Sequence, residues 1–328
     1  MVQLAYLLEI VIKNLVVVTV LMLFVAYLTL AERKFLGYMQ VRLGPNRVGW
    51  WGLLQPIADG IKSFLKEDLT PANADKPVFV IAPMICLVTA LAMFAVIPFG
   101  DSVTIFGREI KLVIADVDIG ILYMFAMATL GEYGIVLGGW SSGNKFGIMG
   151  ALRAAAQMIS YEVALGLVVL GAVIMTGSLR LTDIVEAQRG GWFVIYQPFA
   201  FLLYIVVALA EINRTPFDMP ESESELACGF NIEYSSMKFA VFMIAEYVHL
   251  VTVAALATTL FLGGWLGPLL PGPVWFVGKV FLMALLFIWI RGTYPRMRYD
   301  HIMKFGWKFL FPAALLNLVV TALIVAVR

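Results

Sequence analysis

Residues 14–31 of the chain read NLVVVTVLMLFVAYLTLA, an apolar run without a single charged side chain. A helix rises about 1.5 Å per residue, so roughly 20 such residues cross the hydrocarbon core of a bilayer. Seven more runs of this kind follow along the 328 residues. The sequence therefore predicts an all-α integral membrane protein with eight transmembrane helices, at about residues 14–31, 78–98, 118–139, 157–176, 193–212, 239–262, 274–291 and 309–327.

The overall composition excludes most soluble functions. Hydrophobic residues make up 62% of the chain and charged residues 14%, whereas soluble domains have about 45–50% and about 25%. The formal net charge is +1, so the chain lacks the excess of positive charge that is typical of nucleic-acid-binding proteins. Two distant cysteines, Cys86 and Cys228, give no ligand spacing for zinc or an iron–sulfur cluster. We therefore expect no metal or redox cofactor in this chain, and any redox chemistry in another.

The distribution of lysine and arginine predicts the orientation in the membrane, because cytoplasmic loops carry an excess of both. Sixteen of the 23 basic residues lie in the loops after the first, third, fifth and seventh runs, and seven lie on the opposite side. We expect one polytopic membrane domain over residues 1–328, with both termini facing outward. Its inner loops are residues 32–77, 140–156, 213–238 and 292–308.

The first inner loop contains an amphipathic pattern. Apolar residues recur at intervals of three and four between Leu53 and Leu65, opposite Gln55, Asp59 and Lys62. This spacing predicts a short helix lying on the inner face of the membrane. From the pattern alone, an ordinary surface anchor is as good an interpretation as a functional helix.

Four glutamates lie inside or at the end of apolar runs, namely Glu132, Glu162, Glu211 and Glu246. An ionised side chain at the bilayer centre costs about 2.5–3.5 kcal/mol, so such groups are expected to be paired, hydrated or protonated. Glu246 and His249 share one helix face, and a histidine–glutamate pair can pass a proton. The set favours a proton relay over the alternative that each acid merely bonds a neighbouring helix.

A second set of acids lies in the inner loop 213–238. Pro220 at a first helical position, followed by Glu221, Glu223 and Glu225, is typical of a helix start. Glu221 and Glu225 are four residues apart and repel each other unless a cation or a proton intervenes. We expect this cluster to continue the row of acids into water, and a solvated acidic turn is the alternative interpretation.

Basic residues follow the first and seventh apolar runs, as Arg33 and Lys34 and as Arg291 to Arg298. Together with the acidic loop they could form a polar rim around an opening to the membrane. The alternative is that they only follow the positive-inside rule.

Motifs on three inner loops form a recognisable set. They are EINRTPFDMPESESEL (residues 211–226), ERK (32–34) with GPNR (44–47), LQP (54–56) and TYPR (293–296). In these motifs the chain resembles the H-subunit family of respiratory complex I, the NADH–quinone oxidoreductase. The resemblance covers nearly the whole chain and includes the expected eight spans.

The resemblance implies a membrane subunit that forms the mouth of a quinone chamber together with a hydrophilic redox arm. Quinone is then the substrate, and FMN and iron–sulfur clusters lie in partner subunits. Further implied partners are lipid and small and antiporter-like membrane subunits, in the bacterial rather than the mitochondrial inner membrane. The implied proton relay is Glu132, Glu162, Glu211 and Glu246, and the implied chamber and loop residues are Glu221, Glu223, Glu225, Asp59, Arg33, Lys34, Arg214 and Asp218.

Three other interpretations stay open from the sequence. The nearest is the homologous membrane subunit of a membrane-bound hydrogenase, against which the full set of loop glutamates argues. A stand-alone ion-coupled transporter also uses intramembrane acids, but no internal repeat is visible here. A purely structural anchor leaves the four acids in the apolar runs unexplained.

Overall fold

Helices dominate the computed structural model, which describes residues 2–105 and 108–327 but not the side chains of residues 2–8, 103–105, 108, 109, 223 and 224. Within these residues, seven helices are long and apolar enough to cross a membrane. The predicted class of a helical membrane protein is therefore confirmed. The long helices are α1 Val2–Met39, α3 Lys76–Met93, α4 Gly120–Ser141, α5 Lys145–Thr176, α10 Ser236–Phe261, α11 Gly272–Thr293 and α13 Phe311–Val327. The shorter ones are α2 Gln55–Leu65, α6 Leu181–Ala187, α7 Phe193–Tyr196, α8 Pro198–Glu211, α9 Glu223–Leu226 and α12 Tyr299–Phe305.

The fifth predicted span is a broken helix rather than a continuous one. The short α7 ends before Gln197, whose backbone (φ −132°, ψ 58°) is not helical, and α8 begins at Pro198. Proline suits a first helical position because its missing N–H would be unpaired there in any case. With 14 residues, α8 is about 21 Å long, shorter than the hydrocarbon core of roughly 30 Å.

Two long helices extend well beyond the apolar runs that predicted them. Helix α1 continues to Met39 and so carries Glu32, Arg33 and Lys34 on its last turns. Helix α5 begins at Lys145 because the side chain of Asn144 accepts a hydrogen bond of 2.9 Å from the backbone N–H of Phe146. The predicted loop 32–77 therefore begins as helix, and most of the predicted loop 140–156 is the first part of α5.

A β-hairpin lies between α3 and α4, where the all-helical prediction has only a loop. Strands β1 Ser102–Ile105 and β2 Arg108–Lys111 pair antiparallel, with Ser102 opposite Lys111. Hydropathy is averaged over windows of about 19 residues, so strands of four residues leave no signal in it.

The predicted amphipathic helix is present as α2. Its apolar side chains Ile57, Ile61 and Phe64 are exposed by 56%, 55% and 73% in the isolated chain. The hydroxyl of Ser236, at the start of α10, donates a hydrogen bond of 3.0 Å to the backbone oxygen of Ser63. Helix α2 is thus attached to the bundle and still presents an uncovered apolar face.

Close helix packing in the centre depends on small residues. Helices α4 and α5 approach each other where Gly139 faces the backbone oxygen of Gly147 and the side chain of Ala151. A Cβ at Gly139 would lie 2.7 Å from the Cβ of Ala151, well inside van der Waals contact. Further along α5, Tyr161 is fully buried and its hydroxyl donates to the backbone oxygen of Ile302 at 3.0 Å.

We predict that Gly139→Ala destabilises the chain by about 1–3 kcal/mol, because the added methyl group forces α4 and α5 apart. The measurement is the melting temperature of the detergent-purified protein. The control is Gly166→Ala on α5, where an added Cβ meets no atom within 4 Å. Equal melting temperatures for the two variants would contradict the close contact.

Candidate functional site

A cavity of about 60 Å³ lies between α3, α4, α8, α10 and the loop after α8. Four acids line it, namely Glu132, Glu211, Glu221 and Glu246, together with His249. A water molecule needs at least about 10–15 Å³ on this measure, so the cavity has room for several. The structure therefore brings three of the four predicted relay acids and one acid of the predicted loop cluster to a single cavity.

Glu132 and Glu211 are the most enclosed of these acids, with only 3% and 4% of their surface exposed. One oxygen of Glu132 accepts a hydrogen bond of 3.4 Å from the side chain of Asn213. The Oε2 atom of each glutamate is buried and has no hydrogen-bond partner among the described residues. No lysine or arginine in the described part of the chain forms a salt bridge with either.

Glu162 lies beside the cavity rather than in its lining. It accepts a short hydrogen bond from the hydroxyl of Thr129, which joins α5 to α4. Glu132 and Glu211 are both close enough to Glu162 to interact with its charge. The four predicted relay acids therefore come from four different helices and form a connected group.

Arg214 carries the central positive charge of the site and is only 3% exposed. Its Nη1 donates to Glu32 at 2.8 Å, its Nε donates to Glu246 at 2.7 Å, and its guanidinium lies 4.3 Å from the ring centre of Tyr247. Burial lowers the pKa of Arg214, but the carboxylates of Glu246 and Glu32 outweigh it and hold this pKa well above its ordinary value. Arg291 on α11 also donates to Glu32.

The loop after α8 adds two more acids to the site, Asp218 and Glu221. Asp218 accepts a hydrogen bond of 2.6 Å from Arg296, yet burial raises the pKa of Asp218 to about 6. Glu221 accepts a hydrogen bond of 3.1 Å from Asn231. Burial, with the neighbouring carboxylates of Glu246 and Asp218, raises the pKa of Glu221 to about 8. Glu221 is thus a group that can exchange a proton near neutral pH.

The predicted cluster of loop glutamates is divided in space. Glu221 faces the cavity, whereas Glu225 is exposed and forms an ion pair of 2.6 Å with Arg153. The side chain of Glu223 lies outside the described residues. The repulsion expected between Glu221 and Glu225 is avoided because the two side chains have different neighbours.

The predicted residues of the first inner loop lie together at the junction of α1 and α2. Arg33 forms an ion pair of 2.6 Å with Asp59, which also accepts a hydrogen bond of 2.9 Å from Gln55. Lys34 donates to the backbone oxygen of Trp51. These contacts hold the amphipathic helix against the C-terminal end of α1.

Sequence reasoning missed several residues that hold the site together. Glu32, Arg291 and Arg296 were expected only as parts of a basic rim or a motif, but they pair with Arg214, Glu32 and Asp218. Among the uncharged ones, Nε2 of the fully buried Gln157 lies 2.7–3.0 Å from oxygens of Ala210, Asn213 and Phe217. A glutamine inside an apolar run was the only available signal. For Glu246, the bonded partner is Arg214 and not the expected His249.

The fold and the site define a polytopic helical membrane protein with a connected group of ionisable side chains. Within the described residues, no group of three or more histidine, cysteine, aspartate or glutamate side chains is arranged to hold a metal ion.

Comparison with known proteins gives the family. The family described as "NADH dehydrogenase" matches residues 12–322. An NADH-quinone oxidoreductase H subunit of Geobacter metallireducens is 53% identical over 98% of this chain and 97% of its own length. The H subunit of Syntrophotalea carbinolica is 54% identical over 94% and 93%, and that of a Geobacillus strain is 52% identical over 92% and 89%. The chain belongs to the H-subunit family of NADH–quinone oxidoreductase, respiratory complex I.

We predict that Gln157→Leu lowers both the melting temperature and quinone-reductase turnover of the assembled enzyme. The reason is that the buried oxygens of Ala210, Asn213 and Phe217 lose their donor, at a cost of about 1–3 kcal/mol. The control is Gln188→Leu, which removes a buried glutamine bonded to Thr259 and Gly263 instead. That control should lower the melting temperature alone, and an equal loss of turnover in both variants would contradict a specific role of Gln157 at the site.

Proposed function

We propose that this chain is the membrane subunit through which a proton-pumping NADH–quinone oxidoreductase of the bacterial inner membrane takes up quinone. In this role the chain forms the mouth of the quinone chamber and passes protonation changes on through its buried glutamates. The observation that carries the proposal is the continuity of ionisable groups. They run from Asp218 and Glu221 on the loop, past Arg214, to Glu132, Glu211 and Glu162 in the bundle.

The proposed topology is a single polytopic domain, residues 1–328, with both termini outward. Helices α7 and α8 together form the fifth of eight crossings. The excess of basic residues on the loops 32–77, 140–156, 213–238 and 292–308 supports this orientation. Gln197, at the break, donates hydrogen bonds to Gly171 and Thr321, and such neighbours are what allow a helix to break at membrane depth.

The proposed entrance for quinone lies between α1, α2 and α10. The uncovered apolar face of α2 supports an opening toward lipid, because a quinone tail is apolar. Polar groups stand beside it, since Arg33 pairs with Asp59 and Lys34 binds the loop before α2. Deeper in the chamber, the quinone head would meet the loop that carries Arg214, Asp218, Glu221, Glu223 and Glu225.

The proposed division of labour leaves electron transfer to partner subunits. FMN and the iron–sulfur clusters belong to the hydrophilic arm, whose quinone-reducing subunits dock on the inner loops. Quinone takes up two electrons from a cluster and two protons from the chamber to become quinol. The resulting change of charge alters the protonation of Glu221 and then of the acids in the bundle. This change in turn biases proton transfer in the antiporter-like membrane subunits.

We predict that turnover falls as the pH rises through about 8 and that Glu221→Gln removes this limb. Because its pKa is raised to about 8, Glu221 holds a proton below that pH and can supply it to the chamber, and above that pH it is ionised. The measurement is the pH profile of quinone reduction by the assembled enzyme. The control is Glu225→Gln, an acid of the same loop outside the cavity. A profile that keeps its limb in Glu221→Gln would exclude Glu221 as the proton donor.

We predict that Glu162→Gln lowers the number of protons pumped per electron, because the amide cannot carry a proton along the row. The ratio is measured in inverted membrane vesicles from proton uptake and NADH oxidation. Glu186→Gln, on an exposed residue of α6 paired with Arg189, serves as the control. A wild-type ratio in Glu162→Gln would make that acid a structural residue only.

A further inference from the structure

The buried positive charge of Arg214 restricts what its two acidic partners can do. A guanidinium does not lose its proton in a protein. The side chain is nearly inaccessible to water, so its charge must be balanced by charges in the protein. The two carboxylates in contact with it are Glu32 at 2.8 Å and Glu246 at 2.7 Å.

Among the groups in direct contact with one another, Arg214, Arg291, Glu32 and Glu246, the charges balance only if both acids are ionised. Glu32 is shared, because Arg291 binds its other oxygen. Two guanidinium groups therefore face two carboxylates. A proton on Glu246 would leave Arg214 and Arg291 with the single carboxylate of Glu32 between them.

Glu132 and Glu211 line the same cavity as Glu246, but among the described residues they lack its ion pair. Each lines the cavity, has a buried Oε2 without a hydrogen-bond partner, and forms no salt bridge within the described part of the chain. Either acid can therefore gain or lose a proton without breaking an ion pair. In the sequence, Glu132, Glu211 and Glu246 are all acids within apolar runs. They differ in the structure, because only Glu246 is paired with a guanidinium group.

We propose that Glu246 is the fixed counter-ion of Arg214, a positioning residue that stays ionised, and that the moving protons are carried by Glu132, Glu211 and Glu162. The inference rests on the proposed function and divides its row of acids into two roles. The other groups around the junction are Tyr247 and His249 on α10, Arg291 on α11, and Asp218 and Glu221 on the loop. Arg214 and Glu246 together fix the loop to α10.

The test is a cycle of three variants in the assembled enzyme, Glu246→Gln, Arg214→Gln and the double variant. Each single variant leaves one buried charge without its partner. The double variant removes both charges and keeps the pair of Glu32 and Arg291. The measurements are the amount of assembled complex, quinone-reductase turnover and protons pumped per electron, all in native membrane vesicles.

A counter-ion role predicts a loss of roughly tenfold or more in assembly or turnover for each single variant, because a buried ion pair has been broken. It predicts that the double variant recovers a large part of that loss and pumps with the wild-type ratio. The proposal is overturned if the double variant is as impaired as Glu246→Gln, because Glu246 would then carry protons itself. It is equally overturned if Glu246→Gln alone behaves like the wild type.

Glu211→Gln separates this inference from the proposed function. A lowered pumping ratio in Glu211→Gln, with no recovery in the double variant, leaves the acid relay standing and rejects the counter-ion. A wild-type ratio in Glu211→Gln rejects the relay, whatever the double variant does.

Discussion

The fixed charge of Arg214 is the constraint around which the rest of the site is arranged. Removing one partner from a buried ion pair costs about 3–5 kcal/mol, which is comparable with the stability of a whole domain. Arg214 lies on the loop after α8, and its partners Glu32 and Glu246 lie on α1 and α10. A single guanidinium thus ties the loop to two helices. Arg291 extends the same pairing to α11.

The acids of the bundle fall into two groups when their partners are compared. Glu32 and Glu246 are paired with guanidinium groups, whereas Glu132 and Glu211, which line the same cavity as Glu246, form no salt bridge among the described residues. An acid held by a fixed cation is a poor proton carrier, because protonation would cost the ion pair. An acid that lines a cavity and has no cation beside it is a better proton carrier, since it can exchange a proton with water or a neighbouring carboxyl group. Hydropathy alone cannot distinguish Glu246 from Glu132 and Glu211, because all three lie within apolar runs.

The sequence predicted the helical membrane class and the amphipathic helix, and it named several ionisable residues that the structure brings together, but it did not predict how those residues pair. Long apolar runs and a period of 3.6 residues are local signals, and α2 and the long helices follow from them. Hydropathy did not predict the helix break at Gln197 or the paired strands Ser102–Ile105 and Arg108–Lys111, because these features are too short to change a hydropathy average. The contact of Glu32 with Arg214 joins residues 182 positions apart, and no local pattern encodes such a pairing.

The loop after α8 is packed on itself and against α5 rather than free in solvent. Gly229 has a φ of +57°, and a Cβ there would overlap the backbone oxygen of Pro220, so only glycine fits the place where the loop folds back on itself. A Cβ at Gly150 on α5 would lie 2.8 Å from both the amide of Phe230 and the oxygen of Pro220. The segment that carries Glu221 is therefore in contact with α5 over its backbone. Under the proposed function, a change of charge at Glu221 would act through this contact on α5, the helix that also carries Glu162.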